Sequence, residues 1–317
     1  MSTALKGSLA ALLFWATSAL ALPYSNLVVF GDSLADSGNN YLATGGAQTA
    51  VPLSGPTVPI YPYASGRYSN GPVWTEYFAN SLGLGLAPSL LGGNNYAFGG
   101  ARVAGASPVP TLQQQVGLYL SANTVSANAL YVIEGGGNDA RDVLDLLMSG
   151  QDPTQRIADY VLGMVDMIGT LAGLGANHFL VWNITDLGLV PAVTAQGTAA
   201  AQGASSVVAT MNLLLTQALA ALPGSITDDL TLFDAYAGLN DIVANPAAYG
   251  LADAGTACAA DGACDASQAF FWDGIHPTTA GHQVMARLAV AAIPEPATGL
   301  LLGLAFLGLA ATRRRAA

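Results

Sequence analysis

The stretch VVFGDSLADSGNN, residues 28–40, decides how this chain reads. An apolar run stops at Gly31, and Asp32 and Ser33 follow at once. Two readings compete. Small polar residues here build a turn, or a strand delivers a nucleophilic hydroxyl to the carboxyl edge of a sheet. Flanking segments favour the second. ALYVIEGGGND (129–139) and HFLVWNITD (178–186) are further apolar runs ending in small or polar residues, and LTLFDAYAG (230–238) reads as another strand. Between them, GPVWTEYFANSLGL, TLQQQVGLYLSAN, TQRIADYVLGMVDMIGTLAGLGA and TAAAQGASSVVATMNLLLTQALAALP have helical periodicity, and a last helix is expected from about Thr278 to Ala292. NNYAFGGA (94–101) reads as a short strand or extended segment. Strands alternating with helices predict an α/β fold with a parallel sheet covered on both faces. Ligands in such sheets bind beyond the carboxyl ends of the strands, where Ser33, Gly100 and Asn138 converge.

Charge narrows the function. Only 9% of the 317 residues are charged, and residues 22–293 hold 5 arginines against 19 acids, a balance of −14. Such a body repels nucleic acid, so no nucleic-acid partner is expected. The glycine clusters lack nucleotide-binding spacings, and no cofactor or metal is expected. Mean hydropathy is high at +0.45, raised by alanine and by two apolar ends. Residues 1–21 combine Lys6, an apolar core and Ala19-Leu20-Ala21, the pattern of a secretory signal peptide cut after Ala21. Residues 294–317 run from Pro294-Glu295-Pro296 through an apolar stretch to Arg313-Arg314-Arg315. That order resembles the PEP-CTERM sorting signal of Gram-negative bacteria. The resemblance implies export, transient membrane anchoring by the tail and cleavage by an exosortase. Residues 22–293 form the expected catalytic body. The two cysteines, Cys258 and Cys264, read as a disulfide in an exported protein, with free thiols as the alternative.

A serine needs a base, and the base an orienting carboxylate. Of three histidines, His178 opens a strand and His282 lies in the last helix, where packing roles are expected. His276 sits in FWDGIHPTTAG three residues after Asp273, a spacing at which a turn brings carboxylate to imidazole. FGDSLADSGN, YAFGGA, GGND and DGIH are similar, in this order, to the four signature blocks of the GDSL or SGNH hydrolases. The resemblance spans roughly residues 27–292, and GRYSNGPVWTEY, NPAAYG and FWDGIHPT look like its secreted lipase and esterase branch. It implies a three-layer α/β/α sandwich with a flavodoxin-like sheet. It implies Ser33 as nucleophile, His276 as base and Asp273 as its partner. Oxyanion donors would be the amides of Ser33 and Gly100 and the Asn138 side chain, with Gly99 the alternative to Gly100. Asn138 or Asp139 as a mere helix cap is the competing reading. Asp32 and Asp139 are expected to be structural, Trp74 to be core, and Arg67 to pair with an acid rather than a substrate anion. The function expected is an exported esterase or lipase working through an acyl-serine. Alternatives are an exopolysaccharide O-acetyl esterase and a silent matrix or binding protein.

Overall fold

A computed structural model describes residues 24–44, 64, 66–260 and 263–294. The expected signal peptide, residues 295–317 of the expected sorting tail and the stretch between residues 45 and 60 lie outside the described residues. In chain order the elements are β1 (Asn26–Phe30), α1 (Asn39–Ala43), α2 (Trp74–Ser81), α3 (Leu112–Ala122), β2 (Ala129–Ile133) and α4 (Gly137–Met148). There follow α5 (Thr154–Gly173), β3 (His178–Trp182), α6 (Pro191–Thr194), α7 (Thr198–Ala220), α8 (Gly224–Thr227), β4 (Leu230–Phe233), α9 (Ala235–Ala244) and α10 (Thr279–Ala292).

The four strands are parallel in the order β1-β2-β3-β4. Register runs from Asn26 opposite Ala129 to Phe30 opposite Ile133, then Leu130 opposite His178 and Phe179 opposite Leu230. The NNYAF stretch lies on the free edge of β1. Val29 N–H donates to the Asn94 carbonyl (3.0 Å), and the Tyr96 and Phe98 amides donate to the Val29 and Gly31 carbonyls (2.8 and 3.1 Å). With this segment counted, the spatial order is that of a flavodoxin-like sheet. It takes the place of a strand while making only single bridges.

Side-chain alternation sends successive strand residues to opposite faces. Tyr131 meets Tyr119 of α3 and Phe179 of β3 on one face. Trp182 stacks on Trp74 of α2 at 4.0 Å on the other. Helix α10 packs with α2, while α3, α4, α5 and α7 pack with one another. The result is three layers, and β2 is buried along its whole length, as expected of a strand covered on both faces. Trp74 is wholly buried.

Two helices differ from the reading by pattern. LTLFDAYAG is strand only to Phe233; Asp234 then accepts the Ala237 amide (3.0 Å) and caps α9. An aspartate inside an apolar run is an N-cap signal that periodicity conceals. Helix α4 starts at the last of the three glycines, Gly137, with Gly136 at its N-cap in a left-handed conformation (φ 105°). Cys258 and Cys264 are joined by a disulfide, with Cα atoms 5.3 Å apart.

Candidate active site

The turn after β1 is fixed from several sides. Buried Gln115 of α3 accepts the Gly31 amide and donates to the Gly31 carbonyl, both at 2.9 Å. A Cβ on Gly31 would lie 2.8 Å from Ala35 Cβ and 2.9 Å from a Glu134 carboxylate oxygen, so only glycine fits. Asp32 Oδ1 accepts the Leu34 amide (3.0 Å), and its carbonyl accepts the amides of Ala35 and Asp36 (3.2 and 3.0 Å). Asp32 thus holds the turn that presents Ser33.

Ser33 Oγ lies 2.9 Å from His276 Nε2, and His276 Nδ1 lies 2.7 Å from Asp273 Oδ2. The other Asp273 oxygen accepts the amides of Ile275 and His276, each at 2.7 Å. Three donors on one carboxylate hold it as an acceptor, which assigns the Nδ1–H tautomer and leaves Nε2 to accept the serine proton. Asp273 and His276 are buried, and the Tyr68 ring lies 5.3 Å from the imidazole, fixing it further. Thr278 accepts the Gly281 amide (3.0 Å) and caps α10 directly behind this loop.

Gly99 and Gly100 are distinguished by hydrogen bonding. The Gly99 amide donates to Asp36 Oδ2 (3.0 Å), and a Cβ there would collide with Tyr68. Among the described residues the Gly100 amide has no acceptor; its φ is 86°, and the space beside its Cα is open. The Ser33 amide likewise has no acceptor among them. Asn138 Nδ2 donates to the Ala101 carbonyl (3.1 Å) and stands 3.4 Å from Asp32 Oδ2. It is the second residue of α4 and makes no cap, which removes the capping alternative.

The loop carrying Gly100 is stitched to α4. Arg102 donates to the Gly100 carbonyl (3.0 Å) and forks onto Asp142 (3.0 and 2.7 Å). Asp139 accepts the Val103 amide (3.0 Å) and pairs with Arg156 (3.2 Å), a structural role. Arg67 pairs with Glu76 at 2.6 Å.

Behind the turn lie buried acids. Burial pushes Asp32 up to about 6, against the Leu34 amide and the charges of His276, Arg141 and Arg102. Burial, then the Asp32 charge, raises Glu134 well above the usual carboxylate range, and one of its oxygens has no partner among the described residues. His282 is fully buried; burial holds it down at about 3, so it stays neutral and structural. His178 packs against Tyr24. Sequence reading missed Asp36, Gln115 and Glu134. Glu134 had a signal, a charge ending a wholly apolar strand; Gln115, one of three consecutive glutamines, had none.

An apolar cavity of about 30 Å³ adjoins the site. Its walls include Leu34, beside Ser33, and Ile275 and Pro277, which flank His276, together with Trp182 of β3 and Leu239 of α9.

A doubly covered parallel sheet with a serine, histidine and aspartate in hydrogen-bonded sequence at its carboxyl edge defines an SGNH-type α/β hydrolase. Residues 27–289 match the family model for the GDSL-like lipase/acylhydrolases, and the chain belongs to that carboxylester hydrolase family. Residues 292–315 match the PEP-CTERM protein-sorting motif. A GDSL esterase/lipase of Arabidopsis thaliana is 29% identical, over 83% of this chain and 84% of its own. Esterase EstA of Pseudomonas aeruginosa is 30% identical, over 89% of this chain and 48% of its own. Among solved structures, a catalytic mutant of the acetylxylan esterase Axe2 from Geobacillus stearothermophilus overlays with a TM-score of 0.48 at 14% identity. That overlay covers 87% of this chain and 97% of that one.

Proposed function

We propose that this chain is an exported serine esterase that cleaves esters of short acyl groups through an acyl-serine intermediate. The observation that carries the reading is the unbroken chain from Asp273 through His276 to Ser33, at 2.7 and 2.9 Å. His276 Nε2 takes the serine proton as Oγ bonds to the ester carbonyl carbon. Negative charge then develops on the carbonyl oxygen, and the Ser33 and Gly100 amides and the Asn138 amide group are its donors. The carbon–oxygen bond to the alcohol breaks, and His276 returns the proton to the departing alkoxide. Water, deprotonated by the same imidazole, attacks the acyl-serine, the bond from the acyl carbon to Oγ breaks, and His276 returns the proton to Ser33 as the acid leaves.

The size of the cavity supports the short acyl group. At about 30 Å³ it has room for little more than two waters, since one water needs roughly 10–15 Å³ on that measure. An acetyl group fits such a space. The sorting match adds a second reading of the substrate, an O-acetylated extracellular saccharide. On this account residues 1–21 are removed by signal peptidase, residues 22–293 are the catalytic domain, and residues 294–317 hold the protein at the membrane until an exosortase cuts near Pro294-Glu295-Pro296.

The test is labelling with a fluorophosphonate, followed by a panel of acetyl, butyryl and decanoyl esters. Wild type should label at Ser33, Ser33→Ala should neither label nor hydrolyse, and the acetyl or butyryl ester should be cleaved fastest. Labelling at another serine, or preference for decanoyl, contradicts the assignment.

A further inference from the structure

The described residues contain five arginines. Arg67, Arg102 and Arg156 are each engaged by a carboxylate, at 2.6, 2.7 and 3.2 Å. Arg287 is exposed and reaches the Tyr249 carbonyl at 3.4 Å. Arg141 is unlike these. It is half-buried, yet among the described residues it makes no hydrogen bond and no ion pair. A guanidinium taken partly out of water without a hydrogen-bonded partner is unfavourable. Partners are not scarce in a body with 19 acids. The nearest in sequence, Asp142, is already committed to Arg102, and Asp145, one turn on, and Asp32 act on Arg141 as charges without an ion pair among the described residues.

Its position relates it to the catalytic edge. Arg141 follows Asn138 by three residues on α4, which places the two on one helix face. Asp32, next to Ser33 and 3.4 Å from the Asn138 amide nitrogen, lies within electrostatic range of the Arg141 charge. Arg102, bound to the Gly100 carbonyl, is the neighbouring cation. Burial, then the Arg102 charge, outweigh the favourable charges of Asp145, Asp142 and Asp32 at Arg141, so an added anion hydrogen-bonded to the guanidinium would be favourable.

We propose that Arg141 binds an anionic group, a carboxylate or a phosphate, carried by the ester substrate beside the scissile bond. A guanidinium presents a planar fork of donors that matches either anion bidentately. The need for it follows from the field of the whole body. A charge balance of −14 over residues 22–293 repels anionic substrates at long range, and a local cation beside the oxyanion donors offsets that where the ester is cleaved. The proposal rests on the ester hydrolase reading of the same site.

The experiment uses two matched pairs of soluble esters: acetylglycerol with acetylglycerol 3-phosphate, and acetylated glucose with acetylated glucuronate. For wild type, Arg141→Lys and Arg141→Gln, kcat/KM is measured at low and high salt. Arg141→Gln should lower the anionic-to-neutral ratio of kcat/KM by about tenfold or more in at least one pair, the scale of losing a charged hydrogen bond. The change should fall on KM, Arg141→Lys should retain part of the ratio, and added salt should erode it. A response in the phosphate pair alone points to a phospholipid-like substrate, and one in the glucuronate pair alone to an acidic saccharide. Ratios unmoved by Arg141→Gln in both pairs overturn the anion site while leaving the esterase intact. No hydrolysis of any of the four esters overturns the esterase reading and the anion site together.

Discussion

Asn138 is where geometry and chemistry separate most sharply. Its amide nitrogen donates to the Ala101 carbonyl at 3.1 Å and, more weakly, to Asp32 Oδ2 at 3.4 Å, the carboxylate next to Ser33. A donor that meets its acceptor only as charge develops acts on kcat more than on binding. Asn138→Ala should therefore lower kcat by about 10²–10³ with little change in KM. Steady-state kinetics on one soluble ester checks this, and a pure KM effect would place Asn138 outside the oxyanion site. Glu134 calls for a different experiment. Its folded-state pKa is raised, so its favourable contribution is present below the usual carboxylate range and is lost as pH rises. Glu134→Gln should raise the denaturation midpoint at pH 8 and give a much smaller gain at pH 4. Equal shifts at both values would show that Glu134 is not a buried neutral acid. Ser33, Asp273 and His276 are legible in the sequence because each lies in a short local pattern, GDS or DGIH. Gln115 bonds Gly31 from 84 residues away, and Glu134 also lies against Gly31, and no local pattern encodes such pairings.

At the scale of elements, capping decides what was readable. Helices α3, α5, α7 and α10 announce themselves by periodicity, and Thr111 and Thr278 add caps at 3.1 and 3.0 Å. Helix α4 begins at the third of three glycines, and α9 begins inside an apolar run, so pattern alone conceals both starts. Their positions matter to function, because α4 carries Asn138 and α9 lines the apolar cavity through Leu239 and Ile242. Leu239 is buried. Leu239→Ala should cost about 2–5 kcal/mol, the range for deleting a core leucine side chain. It should also move the preferred acyl length upward by opening the cavity. Thermal denaturation and a series of esters from two to eight carbons report the two effects. Stability loss with an unchanged chain-length profile would mean that the acyl group lies elsewhere.

For the molecule as a whole, a parallel sheet covered on both faces followed from alternating strands and helices, while the flavodoxin-like order and the three layers came from the resemblance of the four sequence blocks to the SGNH hydrolases. NNYAFGGA reads as a short strand or extended segment that runs into glycines, and its backbone completes the edge beside β1 through Val29 and Gly31. The PEP-CTERM match supplies a cellular expectation. Cells lacking the exosortase should retain a longer, membrane-associated form of the protein. Mass and fractionation identical with and without that protease would remove the sorting account. The central claim, however, is covalent chemistry at Ser33, and one measurement addresses it directly. The purified protein is mixed with an excess of an activated acetyl ester, quenched in acid within the first turnover, digested and weighed. The account requires an acetyl adduct on the peptide bearing Ser33, absent in Ser33→Ala and longer-lived after hydrolytic water is limited. Rapid ester cleavage with no adduct on that peptide, or an adduct that persists in Ser33→Ala, would contradict it.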